Sequence, residues 1–338
     1  MAKTKLSGLN SRFRSLSNPD VVRLNEQVVL ITGGSRGLGL LLAREFAKEG
    51  CKLAICARDY GELERAKADL DVFSPQTEVL IVECDVSDKF QVQNLVEAVL
   101  QRFGRIDILV NNAGVIQVGP LQNMTLENFE EAFQNDFWSV VYLTLAVLPL
   151  MQARESGQIV NISSIGGKVS IPHLLPYSAA KFATTGFSEG LAAELFQKRI
   201  SVTTIIPGLM RTGSHLNAEF KGNQAAEFGW FSLGASLPLL SMDAEKAASR
   251  IILAVKRRES ECILSIPANI LALTHGILPG PTLKILQLVN RFVLPGVQKS
   301  SGADKIELGN EIEAKNPSTI LKTLTTMGRS AAQRFNQL

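Results

Sequence analysis

Gln27-Val-Val-Leu-Ile-Thr32 runs directly into Gly33-Gly34-Ser35-Arg36-Gly37-Leu38-Gly39, and an apolar-periodic segment, Leu40 to Lys48, follows. The first run is β-branched and short, as a buried strand requires. The glycines let the backbone turn sharply and lie close to whatever the turn faces. The next segment reads as a helix, whose first amides are unpaired and carry the positive end of its dipole. Strand, glycine turn and helix N-terminus together make a cradle for the pyrophosphate of a dinucleotide. The spacing is Gly-x-x-x-Gly-x-Gly, not the Gly-x-Gly-x-x-Gly of the commoner fingerprint.

The rest of the chain repeats this rhythm. Strands are predicted at 27–32, 52–57, 78–83, 107–111, 158–163, 201–206 and 262–266, and helices at 38–49, 59–70, 88–103, 125–152, 175–198 and 243–258. Asp88, Thr125 and Asp243 stand where helices start, as capping residues do. Alternating strands and helices with right-handed crossovers give an α/β, Rossmann-type fold, a doubly wound parallel sheet with helices on both faces. A ligand then lies across the carboxyl ends of the strands, at the topological switch point.

A second stretch carries chemistry. Tyr177-Ser-Ala-Ala-Lys181 places a phenol and an amine one helical turn apart, and Ser163-Ser164 closes the apolar run just upstream. Free tyrosine titrates near 10 and is a poor acid or base at neutral pH, but a neighbouring ammonium favours its phenolate. Lowering that value to about 7 takes roughly 4 kcal/mol, which a buried lysine together with a bound cationic ring would supply. The pair alone is a weak signal and also fits an ordinary amphipathic helix.

With both stretches in view, the chain resembles the short-chain dehydrogenase/reductases, in the branch with a single compact domain. Thr32-Gly33-x-x-x-Gly37-Leu38-Gly39 matches that family's cofactor turn, and Asp85-Val86 its adenine-contacting acid. Asn111-Asn112-Ala113-Gly114 matches its sheet-stabilising motif; Ser164, Tyr177 and Lys181 match its catalytic serine, tyrosine and lysine. Pro207-Gly208 with Thr212 resembles the loop that holds the nicotinamide carboxamide. One position departs from the pattern. The family's fourth catalytic residue, an asparagine 13 residues before a helix-ending proline, falls on Asp136 in Asp136-Phe137-Trp138-Ser139, given Pro149. An aspartate there adds negative charge beside Lys181 and slows proton relay, or is harmless; a one-residue bulge would instead restore Asn135.

The resemblance implies hydride transfer between a nicotinamide and a carbonyl carbon. Tyr177 is the proton donor, Ser164 hydrogen-bonds the carbonyl oxygen, and Lys181 holds the ribose and lowers the tyrosine pKa. Charge points to NADP(H). The second strand ends Ile55-Cys56-Ala57-Arg58 with no acid before Asp59, and Arg36 adds a second guanidinium for a 2′-phosphate. Reduction is then the physiological direction. The segment Ser214 to Leu240 carries Phe220, Phe228, Trp230 and Phe231, and reads either as a lid over an apolar substrate or as residues packing onto the core. The alternative to an enzyme is a cofactor-binding regulatory or scaffold protein that lost turnover, and Asp136 is its only support.

The ends lie outside this domain, which spans 25–267. Residues 1–24 begin with a cationic, acid-free stretch lacking an apolar core, which argues against a secretory signal and reads as a flexible arm or an organelle transit peptide. Residues 268–298 are apolar but broken at Pro279, Gly280 and Pro281, short of a bilayer span. Within 283–297, Leu283, Leu286, Val289, Phe292 and Val293 share a helical face that docks on the body, pairs subunits or lies on a membrane surface. Residues 299–338 are polar and predicted to be partly disordered. A net charge of +3 and a single basic run, Lys256-Arg257-Arg258, give no case for nucleic acid. Three histidines and four scattered cysteines give none for a metal; the thiols read as buried and reduced in a cytosolic protein. A homodimer or homotetramer through 125–152 and 175–198 is implied by the resemblance.

Overall fold

Seven strands pair into one all-parallel sheet in the computed structural model, which describes residues 21–298, 302–315 and 325–337. They are β1 Val28–Thr32, β2 Lys52–Ala57, β3 Val79–Glu83, β4 Ile108–Asn111, β5 Gly157–Ile162, β6 Ile200–Ile206 and β7 Glu261–Ile263. Their order is β7-β6-β5-β4-β1-β2-β3. The direction of winding reverses between β1 and β4, where Val29 pairs with Ile108 and Ile31 with Val110. That reversal opens the crevice in which doubly wound sheets bind ligands.

Strand periodicity sends alternate residues to opposite faces. Val29 and Ile31 join one core with Leu40, Phe46, Ile251 and Val255, from α1 Gly37–Lys48 and from a later helix, Ala244–Lys256. Val28 and Leu30 join the other with Leu95, Leu143 and Val147. The helices between these are α2 Tyr60–Phe73, α3 Lys89–Phe103, α4 Leu126–Phe133, α5 Ser139–Ala153, α6 Leu175–Leu195 and α7 Gln224–Ser236; Ala244–Lys256 is α8. Asp88 and Asp243 cap α3 and α8 by accepting from Phe90 N and Lys246 N, and Thr125 forms a capping box with Asn128. Leu126–Ala153 is continuous and apolar enough in length and composition to cross a bilayer, yet Leu143, Val147 and Met151 on its inner face belong to the second core. Between α4 and α5 it contains one π turn, Gln134–Trp138.

Beyond the sheet, α9 Ile266–Ile277 and α10 Pro279–Phe292 form a hairpin with Ala268 and Thr282 as their buried residues. The described parts of 299–338 are folded onto the body. Glu307–Leu308 pairs with Glu219–Phe220, which pairs in turn with Gln117–Val118; α11 Gly309–Lys315 and α12 Thr326–Arg334 follow. At the other end, Val22 N donates to Lys256 O and Leu24 is buried; residues 1–20 of the expected arm lie outside the described residues.

Candidate active site

The glycine turn bends as its composition requires. Gly33 has φ +61°, in the left-handed region, and a side chain on Gly39 would strike the Gly33 carbonyl oxygen. Asn112 locks the turn to β4: its backbone N–H donates to Thr32 Oγ1 at 2.9 Å and its Nδ2 to Thr32 O at 2.8 Å. A cavity of about 730 Å³ opens along the strand ends. Gly33, Ser35, Arg36, Leu38, Gly39, Arg58, Asp85 and Val86 line it, together with Asn112, Ala113, Gly114, Pro207, Gly208 and Thr212. Of the expected cofactor residues, Gly37 alone is not on its wall. A bare backbone cradle at a helix N-terminus, with no room for side chains, fits a dinucleotide pyrophosphate.

Charge beside the glycine turn is less one-sided than the sequence implied. Arg36 Nη1 donates to Glu62 Oε1 at 2.9 Å and to Asn217 Oδ1 at 2.8 Å, and Ser35 Oγ donates to Glu62 Oε2 at 2.8 Å. Glu62 sits in the first turn of α2, whose cap, Asp59, accepts from Glu62 N. This acid was missed because the reading stopped at the end of β2; the cap itself was the available signal. Arg58 is exposed on the rim.

Ser164, Tyr177, Lys181 and Asp136 meet on the wall of the same cavity. Ser164 follows β5 and caps a short turn, accepting from Gly166 N at 3.0 Å. Lys181 is buried; its Nζ donates to Ile162 O at 3.2 Å and lies 3.0 Å from Asp136 Oδ1. The π turn is the bulge left open by the sequence, but it turns Asp136 inward. Asn135 Nδ2 donates instead to Glu131 O at 2.9 Å, within its own helix. Thr184 Oγ1 fastens Asp136 O at 2.6 Å, and Gly114 has no side chain because Asp136 Oδ1 occupies that space.

Electrostatics around this group run against the expected lowering of the tyrosine. Burial pushes Tyr177 above its ordinary value; Lys181 pulls it down, Asp136 pushes it up again, and a hydrogen bond with Ser164 lowers it. Asp136 offsets the ammonium that was to activate the phenol. Burial also pushes Asp136 up, against the pull of Lys181. Burial alone would depress Lys181, but Asp136 and Tyr177 outweigh it and hold the ammonium above its usual range. At neutral pH the phenol is therefore protonated, the form that donates a proton.

Ile171, Leu174, Met210, Trp230, Phe231 and Leu271 add apolar wall to the same cavity. The aromatic segment divides between its two readings. Phe220 and Phe228 pack edge to face in a buried cluster, while Trp230, Phe231 and Leu240 face the cavity. Glu227 fixes Trp230 by accepting from its Nε1 at 2.6 Å and is itself held by His173 Nδ1 at 2.9 Å. Neither residue was legible, since each is a lone polar residue in an apolar neighbourhood.

The family model for short chain dehydrogenases matches residues 27–221. A dehydrogenase/reductase SDR family protein 7-like from Anopheles gambiae is 38% identical over 246 residues, 72% of this chain and 76% of that protein. A short-chain dehydrogenase structure from Streptomyces avermitilis superposes with a TM-score of 0.68 at 31% identity, covering 79% of this chain and 98% of the other. The L-sorbose reductase of Gluconobacter frateurii, solved with NADPH and L-sorbose, superposes at 0.63 with 27% identity, covering 73% and 97%. With its parallel sheet, glycine turn and match over more than half its length, the chain belongs to the short-chain dehydrogenase family, oxidoreductases of carbonyl and alcohol groups that use a nicotinamide cofactor.

Proposed function

We propose that this protein reduces the carbonyl group of an apolar substrate, with Tyr177 as the proton donor. The observation that carries this is the Tyr177 phenol in hydrogen-bond contact with Ser164, with Lys181 Nζ 5.7 Å from its ring, on a cavity whose walls carry both the glycine turn and a set of apolar side chains. When bound, the nicotinamide supplies the hydride. Ser164 orients the carbonyl oxygen, Tyr177 gives its proton to that oxygen, and Lys181 binds ribose hydroxyls and steadies the phenolate that remains. Leu38 and Gly39 would hold the pyrophosphate of the cofactor, Asp85 and Val86 its adenine, and Pro207, Gly208 and Thr212 its carboxamide; all of them line the cavity. Tyr177→Phe tests the assignment. Dinucleotide binding should persist while turnover falls by about 10²–10⁴, the usual worth of a positioned acid; unchanged turnover would remove Tyr177 from the mechanism.

NADP(H) is the cofactor we assign, since Arg36 and Arg58 both border the adenosine end, and the similar L-sorbose reductase was solved with NADPH. Glu62 favours a second reading, NAD(H), because a carboxylate there accepts from ribose hydroxyls and repels a 2′-phosphate. Titration of NADPH and NADH against the wild type and Glu62→Gln decides between them. A selective NADPH site tightens further in the variant; an NADH site loosens.

The regulatory alternative rests on Asp136 alone, and binding of dinucleotide without turnover of any carbonyl would favour it. We also place the α9–α10 hairpin on a lipid surface. Ile270, Leu273, Ile277, Leu288 and Phe292 are exposed, and the charged residues of the two helices are Lys284 and Arg291, a balance suited to anionic headgroups. Pro267, Ala268 and Leu271 at its base border the cavity, which gives an apolar substrate a short path from the bilayer.

A further inference from the structure

The N-terminus of α1 is capped from the far end of the chain. Arg36, its capping residue, makes no side-chain cap bond. Instead Gly37 N–H donates to Phe335 O at 2.8 Å, in the segment that follows α12. Asn336 Nδ2 donates to Ser35 O at 2.9 Å and to Glu62 O at 3.2 Å, so residues 335–337 are tied along the whole glycine turn. Gln337 is buried, lies on the cavity wall, and its Nε2 fills the space that a side chain at Gly37 would need.

Hydrogen-bond parity fixes which end of Gln337 faces the turn. Arginine has donors only, so Asn217 must turn its oxygen towards Arg36, as it does at 2.8 Å. Its Nδ2 then faces Gln337, donating to Oε1 at 2.7 Å and to the backbone oxygen at 3.0 Å. With Oε1 committed to Asn217, the amide nitrogen of Gln337 points to the head of α1. Phe335 takes the Gly37 amide, which is off the cavity wall, and leaves the wall residues Leu38 and Gly39 for a ligand. The tail thus complements an anion site and does not fill it.

We propose that Gln337 is a cofactor-contacting residue, whose Nε2 donates to the dinucleotide pyrophosphate beside the amides of α1. This rests on the dinucleotide reading of the same cradle. Its test is calorimetric titration of ADP and of adenosine into the wild type, Gln337→Ala and Gln337→Glu. The glutamate keeps an acceptor for Asn217 and replaces only the donor, setting a negative oxygen towards the phosphates. ADP should bind about 10- to 100-fold more weakly to Gln337→Ala, the span of one hydrogen bond to a charged group, and more weakly still to Gln337→Glu. Adenosine affinity should stay within about twofold in both. ADP affinity unchanged in both variants, or equal losses for ADP and adenosine, would reduce Gln337 to packing and overturn the proposal. A wild type that binds neither ADP nor NADPH nor NADH would instead remove the dinucleotide reading itself, and this inference with it.

Discussion

Asp136 sets the charge balance around Lys181, and its replacement has a calculable sign. Asp136 raises Tyr177 and Lys181 lowers it, so Asp136→Asn removes a raising influence and leaves the ammonium unopposed. The Tyr177 pKa falls. Reduction needs the phenol protonated, so the alkaline limb of its pH–rate profile should move to lower pH in the variant. Alcohol oxidation, which needs the phenolate, should speed up at neutral pH. Stopped-flow rates in both directions across pH 6–11 check this, and an unmoved limb would mean that Asp136 does not act on Tyr177. An asparagine oxygen still accepts from Lys181, so the expected destabilisation is about 1–3 kcal/mol. At this scale the sequence was most informative through its resemblance to a family: Ser164, Tyr177, Lys181 and Asp136, singled out on its motifs, all line one cavity. Glu62, Asn217 and Gln337 were not, because each acts through a contact between segments far apart in the chain.

Elements were legible in proportion to how strongly local chemistry dictates them. Each predicted strand of the sheet overlaps its observed one, because buried parallel strands are continuous β-branched runs bounded by turns. The π turn at Gln134–Trp138 is the one-residue bulge that the sequence left open, and a single inserted residue carries no composition of its own by which to place it. A buried polar relay that links β4, β5, β6 and α6 also gives no periodic signal. Asn111 Nδ2 donates to Asn161 Oδ1 at 2.8 Å, Asn161 Nδ2 to Ser188 Oγ at 3.0 Å, and Thr204 Oγ1 to the same Ser188 Oγ at 2.7 Å. Asn161→Ala breaks two of these bonds and leaves the Asn111 amide with the long contact to Thr144 Oγ1 at 3.4 Å, at a cost of about 1–3 kcal/mol. Urea unfolding should show a lower midpoint at unchanged slope; a wild-type midpoint would mean that the relay is not stabilising.

At the scale of the molecule, two exposed apolar surfaces call for different partners. The α9–α10 hairpin is proposed for lipid. Leu273→Glu with Leu288→Glu should abolish cosedimentation with vesicles containing phosphatidylglycerol and leave turnover of a water-soluble carbonyl unchanged. Persistent cosedimentation would end the membrane assignment. Trp138, Leu145 and Phe182 are exposed on the long helices, where we place self-association. Leu145→Glu should lower the sedimentation coefficient towards that of a monomer, and an unchanged value would exclude this face. Polar composition did not show how the described parts of 299–338 bond to the body: Asn336 reaches Ser35 across 301 positions of sequence. That distance has a temporal meaning. At roughly 5–20 residues per second, a ribosome adds the closing segment about 15–60 s after the turn it covers. Throughout that interval the Gly37 N–H lacks the Phe335 oxygen and the Ser35 carbonyl lacks the Asn336 amide, so the first turn of the chain to form is among the last to be closed.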